Sequence, residues 1–446
     1  MMRKICGFNS KIIRKSYSTV QKPIVTLDKK VAEDLESEVF KPRHHPGTDK
    51  AKVVTVPPRI VSSIFKSLKD APVKGVYRDA QALNRYLKGR HIPPEQNLVK
   101  YKRQMIADKL SQTMDLSDEK KQKKYDAKVD KTLKSQIYNW EPMVYDEYKA
   151  LQYVLGRSAQ EYSTVLRIFT EIQNRDPTFK PRSYFDFGSG VGTGLWAASK
   201  LWKDSIFEYF MVDSSRSMND LADLILRDGD ENIQMELRNV NFRQFFPASI
   251  ETTYDIVISA YSLFELPDTQ ARLETILSLW NRCESYLVLV ENGTMAGFKL
   301  INEARDFILH MNEKSESGAV GHIFAPCAHN MTCPRLLADD RSPCNFVTSY
   351  MPLPLDPEGA NLPQKELYSY VVLKKGPNTD CDKWPRIVRP TLIRSKHAIC
   401  RMCTKDGKLQ EVIFTQSKHG KLPYRCARSS KWGDRLPISI DAPTEI

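Results

Sequence analysis

The chain has 446 residues, 41% hydrophobic and 27% charged, with a formal net charge of +13. That length allows two or three domains around a substantial core, and no apolar run reaches the roughly 18 residues a membrane-spanning helix needs. The positive balance points toward polyanionic partners such as RNA.

The opening "MMRKICGFNSKIIRKSYSTVQKPIV" carries Arg3, Lys4, Lys11, Arg14 and Lys15, with no acidic residue before Asp28. This basic, hydroxyl-rich composition reads as a mitochondrial presequence over residues 1–20, and its short broken apolar pieces do not form a secretory core. The expected compartment is the mitochondrial matrix. Residues 21 to about 60 are expected to be extended, with "KPRHHPGTDK" and "VTVPPR" as breakers. Helical periodicity then runs to about 175, completing an N-terminal region over 21–175. Within it, "SDEKKQKKYDAKVDKTLKSQ" reads as a solvated helix, with contact to an RNA backbone as the sharper alternative. Tyr145, Tyr148, Leu151, Val154 and Leu155 fall at helical spacing and should pack on the elements C-terminal to them.

Residues 176–300 alternate between strand and helix patterns. "SYFDF", "FEYFMVD", "IQMELRN", "YDIVISAYSLFEL" and "ESYLVLVENG" read as strands. "TGLWAASKLW", "SMNDLADLILRD" and "DTQARLETILSLWNRC" read as the helices between them. Near-continuous apolar strands indicate a parallel sheet covered on both faces. Residues 301–365 look like an insertion carried by this sheet, not a continuation of it. Residues 366–446 should supply its last strands, "ELYSYVVLKK" and "LQEVIFTQ", together with a basic tail segment.

The sharpest motif is "YFDFGSGVGTGLWAASKLW", a strand, a glycine loop and a helix in immediate succession. Glycine turns tightly and lets a ligand reach main-chain N–H groups. A triphosphate loop would continue with Lys-Ser/Thr, and a dinucleotide loop would be G-x-G-x-x-G; neither fits. Gly188, Gly190 and Gly192, with Asp186 before them and Asp213 closing the next strand, match an S-adenosylmethionine loop, Asp213 being placed to accept ribose hydroxyls. The expected fold is therefore α/β, a Rossmann-like class I methyltransferase sheet with a helical N-terminal region. Catalytic residues are not assignable: Ser259-Ala260-Tyr261-Ser262 stands where an amino-methylating Asn/Asp-Pro-Pro-aromatic box would be. No cysteine ends that strand, and Cys283 reads as core.

Seven of nine cysteines fall in the last 120 residues, a crowding that suggests metal in a reducing compartment. Cys327 and Cys333 flank "AHNMT", Cys344 lies beyond them, and Cys400 and Cys403 form the one C-x-x-C pair. Zinc and an iron–sulfur cluster both suit thiolates, and His329 is a possible zinc substitute. From Lys383 to Arg435 there are 14 Lys or Arg against 3 acids, with Trp384, Tyr424 and Trp432 among them. Such cations neutralise phosphates, and aromatic faces can stack bases.

From about residue 140 onward, "YKALQYVLGRSAQEYSTVLRIFTEI", "DFGSGVGTG", "SLFEL", "VENGTMAGF", "FAPCAHNMTCP", "MCTKDG" and "WGDRLP" occur together. This combination resembles the methyltransferase-like 17 family with its fungal and bacterial relatives, the small-ribosomal-subunit assembly factors with a class I methyltransferase fold. The resemblance implies a mitochondrial protein, expected as a monomer on the pre-ribosome, that meets small-subunit rRNA, ribosomal proteins and assembly intermediates. It also implies a [4Fe–4S] cluster on Cys327, Cys333, Cys344 and Cys403, with Cys400 as an alternative fourth ligand. The gap from Cys333 to Cys344 is longer than in the family's animal members. The other functional expectation is an active S-adenosylmethionine-dependent rRNA methyltransferase.

Overall fold

The computed structural model describes residues 24–441 apart from 50–51, 70, 115–116, 139, 248, 250, 315–320, 339–341, 355–361 and 379–381. The presequence reading, with Cys6, and Cys381 lie outside the described residues.

The N-terminal region comprises β1 (Ile24–Leu27), α1 (Lys29–Glu36), α2 (Pro58–Ser67), α3 (Val73–Lys88), α4 (Gln96–Ser111), α5 (Glu119–Gln136) and α6 (Glu147–Arg175). The stretch expected to be extended thus holds a helix, because Asp28 accepts from the Val31 N–H and caps α1. Asp146 caps α6 in the same way. At about 1.5 Å per residue, α6 runs for roughly 43 Å, and most of its residues from Ala150 to Ile172 are buried. It crosses α3 so closely that a Cβ on Gly156 would lie 2.8 Å from the Ala80 carbonyl oxygen.

The core continues as β2 (Ser183–Phe187), α7 (Thr193–Trp202), β3 (Glu208–Val212), α8 (Arg216–Leu226), β4 (Val240–Arg243), β5 (Tyr254–Ala260), α9 (Thr269–Arg282), β6 (Cys283–Asn292), α10 (Met295–Lys314), β7 (Gly321–Ala325), β8 (Phe346–Tyr350) and β9 (Gln364–Lys375). The sheet order is β4-β3-β2-β5-β6-β9-β7. β2 to β6 pair in parallel and β9 runs antiparallel to both its neighbours. Counted from β2 with the edge strand β8 left out, that is the 3-2-1-4-5-7-6 arrangement of class I methyltransferases. The order reverses direction between β2 and β5, where the crevice at the strand ends forms the natural ligand site.

Two expectations are corrected here. "IQMELRN" is not a strand: Glu236 pairs with Arg59 and Lys203, the chain turns at Asn239 with φ +53°, and the strand is β4, just after it. Nor do residues 301–365 stand outside the sheet. α10 and β7 continue it, and β8 joins too. Val372 of β9 faces both Val288 and Ala325, and Tyr368 faces both Asn292 and Phe346. β7 and β8 therefore share the outer edge of β9, and only the loop 326–345 leaves between them.

A second sheet forms from β10 (Arg386–Ile387), β11 (Leu392–Ile393), β12 (His397–Cys403) and β13 (Leu409–Thr415), with α11 (Gln416–His419), α12 (Lys421–Ser429) and β14 (Ile438–Asp441) after it. "LQEVIFTQ" does not join the main sheet but is β13, paired antiparallel with β12 from His397↔Thr415 to Cys403↔Leu409. The turn through Gly407, at φ +71°, closes this hairpin locally, so the strand never reaches the larger sheet. β14 pairs with β1, and Val31 and Leu35 of α1 share a core with Trp384, Met402, Phe414 and Leu436.

Candidate functional site

The glycine loop leaves the carboxyl end of β2. The N–H groups of Gly188 and Ser189 both donate to the Val212 carbonyl, at 2.7 and 3.0 Å, which ties the loop to β3. Gly188 and Gly190 adopt φ +69° and +52°, conformations that disfavour any side chain. A Cβ on Gly188 would stand 2.3 Å from Ser262 Oγ, whereas one on Gly190 would meet only the Tyr153 ring at 3.8 Å. Asp213 Oδ2 accepts from Gly190 N–H at 2.9 Å and Oδ1 from Ser215 N–H at 2.9 Å. Burial pushes this carboxyl above its usual range. One N–H per oxygen leaves lone pairs for two ribose hydroxyls. Gly192 is the left-handed residue that opens α7. Asp186 lies beneath that helix start: it accepts from Tyr184 OH at 2.8 Å, and burial pushes it up to about 7.

Beyond β5, where a catalytic box would stand, a buried ionic network lines a small cavity with Tyr145, Phe264 and Asn292. Ser262 Oγ donates to the Phe187 carbonyl at 3.0 Å. Tyr261, at φ +60°, lies under Arg157, whose Cζ is 4.8 Å from the ring centroid. Arg157 Nε pairs with Glu161 at 3.0 Å and Nη1 with Glu366 at 3.5 Å, and all three side chains are at most 4% exposed. Tyr153 OH donates to Glu161 at 2.7 Å, and Lys88 reaches Glu366 at 2.6 Å. Burial disfavours the guanidinium charge, but Glu161 and Glu366 hold Arg157 protonated. Sequence reasoning missed this network, since Arg157 and Glu366 lie 209 residues apart and carry no local motif.

The cysteines come together from two elements. Cys327, Cys333 and Cys344 of the loop 326–345 and Cys403 at the end of β12 line one cavity, walled by Pro326, Phe346, Val388 and Leu409 and by Arg386. Burial, then the neighbouring thiols, pushes up the Cys344 and Cys403 thiols. The Cys327 thiol is raised mainly by burial, against Arg305 and Arg386. Cys400 is elsewhere. Residues three apart on a strand face opposite sides, and Cys400 is buried among Val31, Met402 and Phe414, its Sγ 3.7 Å from the Ala427 carbonyl. His329 Nε2 lies 3.3 Å from Cys403 Sγ, and Asn330 Oδ1 accepts from Ile323 N–H at 3.1 Å. Arg305, buried on α10, donates to the Met331 carbonyl. The loop is thereby seated on the sheet. Cys283 is buried in the core, as expected. Among the described residues, no three His, Cys, Asp or Glu side chains gather at a single-ion site.

The basic C-terminal segment presents nine exposed cations: Lys383, Arg394, Lys396, Lys405, Lys408, Lys418, Lys421, Arg425 and Lys431. Of its aromatic residues, Trp384 does not offer the stacking face expected of it, and Tyr424 and Trp432 are half-buried. Trp384 is buried, with Nε1 donating to Asp28 at 3.2 Å. Trp432 Nε1 donates to the Asn345 carbonyl at 2.9 Å, and Tyr424 packs against the small core. Their apolar area is spent on folding this small segment.

Residues 147–437 match the family model of the mitochondrial small ribosomal subunit protein Rsm22. The human "Ribosome assembly protein METTL17, mitochondrial" is 37% identical over 397 residues, covering 89% of this chain and 86% of that one. The fission yeast (Schizosaccharomyces pombe) "Rsm22-cox11 tandem protein 2, mitochondrial" is 27% identical, covering 65% of this chain and 43% of that one. Among solved structures, the magnesium protoporphyrin IX methyltransferase of Synechocystis is 12% identical with a TM-score of 0.29, covering 53% of this chain and 87% of that one. No helix among the described residues is long and apolar enough to cross a membrane. The strand order, the matched residues 147–437 and the human relative agree: this mitochondrial chain belongs to the Rsm22 family of the mitochondrial small ribosomal subunit.

Proposed function

We propose that this protein is an assembly factor of the mitochondrial small ribosomal subunit that docks on rRNA through its cationic C-terminal segment. A [4Fe–4S] cluster on Cys327, Cys333, Cys344 and Cys403 would organise that segment. The observation that carries this reading is the meeting of four thiols in one cavity, because three come from the loop between β7 and β8 of the main sheet and the fourth from the small cationic sheet. The donor set suits the group. Thiolates are soft ligands for iron, Arg305 and Arg386 offset their charge, and a cluster spreads its ligands over separate corners where a single ion would draw them together. When bound, the cluster would supply iron–thiolate links that join the loop to β12. Anaerobic purification with metal counting tests this: about four irons per chain are expected, and one zinc per chain overturns it.

The rRNA contact has its own test. Changing Lys418, Lys421 and Arg425 together to Glu reverses three exposed charges around α11 and α12. Affinity for small-subunit rRNA should fall by at least tenfold at physiological salt. The slope of log K against log salt should become shallower by about 0.7 for each phosphate of single-stranded RNA that is no longer neutralised. An unchanged slope would place the RNA contact elsewhere.

The glycine loop with Asp213 supports S-adenosylmethionine binding, and it keeps open the reading of an active rRNA methyltransferase. Gly190→Arg would fill the open side of the loop and is expected to abolish cofactor binding measured by calorimetry. Transfer of a labelled methyl group to rRNA, lost in the same variant, would favour catalysis. Against that, Tyr261 and Ser262 are engaged with Arg157 and the Phe187 carbonyl, beside the small cavity beyond β5.

A further inference from the structure

We propose that the outer face of α5 is a second RNA-backbone contact, a row of lysines on a helical hairpin rooted beside the crevice beyond β5. It rests on the proposed function for the choice of rRNA as the polyanion, but needs neither the cluster nor the C-terminal cations. α4 and α5 pack antiparallel around a small core of their own, Ile106, Tyr125 and Val129, and Tyr125 OH donates to the Ala107 carbonyl at 2.8 Å. Both ends of the hairpin are fixed to one short segment, Leu263–Glu265. On the entering side, Arg90 donates to the Phe264 carbonyl at 3.2 Å and pairs with Glu265. On the leaving side, Trp140 Nε1 donates to the same carbonyl at 2.9 Å, and the Met143 N–H donates to Glu265 at 3.1 Å. Phe264 and Glu265 also line the small cavity beyond β5.

The charges of α5 are sorted, not mixed. The helix carries seven lysines against three acids. Lys120, Lys124, Lys128 and Lys131 follow one another at three- and four-residue steps, so they form one row along the helix, and all four are exposed. At about 1.5 Å per residue the row runs for roughly 17 Å, with about 6 Å between lysines four apart. It lies opposite the face that buries Tyr125 and Val129. The acids stand to one side. Asp130 pairs with Arg103 of α4, Asp126 is one turn before it, and Glu119 pairs with Lys123 at 2.8 Å. No described residue forms an ion pair or hydrogen bond with the ammonium group of any lysine in the row. Like charges one turn apart weaken a helix, and a helix that is merely solvated gains nothing from that arrangement. A polyanion laid along the row turns the same charges into attraction.

The side chains decide the class of partner. Ammonium groups are point charges that suit a phosphate backbone without reading sequence. Insertion into a lipid surface would need large apolar side chains beside the lysines. The exposed Leu98, Tyr101 and Met105 are on α4 instead, and no exposed residue of α5 is a large apolar one. An RNA backbone supplies a regular succession of phosphates to meet a regular succession of lysines.

The test uses full-length, metal-replete protein and small-subunit rRNA, with binding followed by fluorescence anisotropy across a salt series. Lys120→Gln, Lys124→Gln, Lys128→Gln and Lys131→Gln together remove the charge and keep the helix propensity, so circular dichroism should be unchanged. Affinity at physiological salt should fall at least tenfold, and the slope of log K against log salt should become shallower by about 0.7 per phosphate of single-stranded RNA released. Arg at the same four positions should bind like wild type. Wild-type affinity and slope in the Gln variant overturn the proposal. So does binding to cardiolipin-containing vesicles that the Gln variant loses while its RNA affinity is unchanged, which would assign the row to a membrane. The two RNA contacts fail separately. Normal binding by the Lys418, Lys421 and Arg425 variant, with loss in the α5 variant, upholds the row and overturns C-terminal docking. The opposite pattern overturns the row alone, and a wild type that binds no rRNA overturns both.

Discussion

Serine in place of Cys403 is expected to lower iron in the anaerobically purified protein from about four atoms per chain to less than one, and to abolish co-migration with small-subunit assembly intermediates. Cys400→Ala should leave both unchanged. The contrast is sharp because the two residues share one strand and differ only in the face they occupy. Cys403 lines the cavity with Cys327, Cys333 and Cys344, whereas Cys400 is buried in the apolar core of the small domain. A link from the loop to β12 spans some 76 residues of chain, and in the chain-entropy picture it restricts the unfolded state by roughly 4–5 kcal/mol. Loss of the link should therefore also lower the melting temperature by several degrees. The cations beyond β12 would then lose their fixed placement against the main sheet, which is why RNA docking should fail together with iron. Normal association of the Cys403→Ser protein with assembly intermediates would show that the cavity does not organise the RNA surface. Iron loss in Cys400→Ala would place the fourth ligand on the other face.

Arg157→Met is expected to destabilise the protein by about 3–5 kcal/mol in chemical denaturation, since removing one partner of a buried pair leaves uncompensated charge. Glu161 is at most 4% exposed and finds no water in place of the guanidinium, whereas Glu366 keeps Lys88. Adding Glu161→Gln to Arg157→Met should recover part of the loss, giving a coupling energy of order 1–3 kcal/mol. A cost below about 1 kcal/mol for the single change would mean that the network is dispensable for folding. The network lines the small cavity at the end of β5, beside Tyr153, Tyr261 and Asn292.

Much of the fold was legible in local pattern. The apolar strands β2, β3, β5, β6 and β9 and the helices α7, α8 and α9 are set by side-chain periodicity. The glycine loop was legible for the same reason: its positive φ angles need glycine at those positions. β4 was displaced by a few residues because polar alternation in "IQMELRN" imitates a strand, while the turn at Asn239 and the ion pairs of Glu236 depend on distant partners. Trp384 misled for another reason: composition cannot distinguish a ring offered to a base from one buried against a helix cap 356 residues earlier in the chain, Asp28.

The chain's own pattern thus determined the methyltransferase-type core, the glycine loop with Asp213 at the end of the next strand, the basic balance of the last segment and the clustering of the cysteines. Only tertiary structure decided that Cys403 joins the three loop cysteines while Cys400 turns away, and that Arg157, Glu161 and Glu366 pair beyond β5. The reason is physical. Periodicity and capping act over a few residues, whereas strand facing, buried ion pairing and charge clustering depend on which elements meet, and here the partners come from opposite parts of the chain.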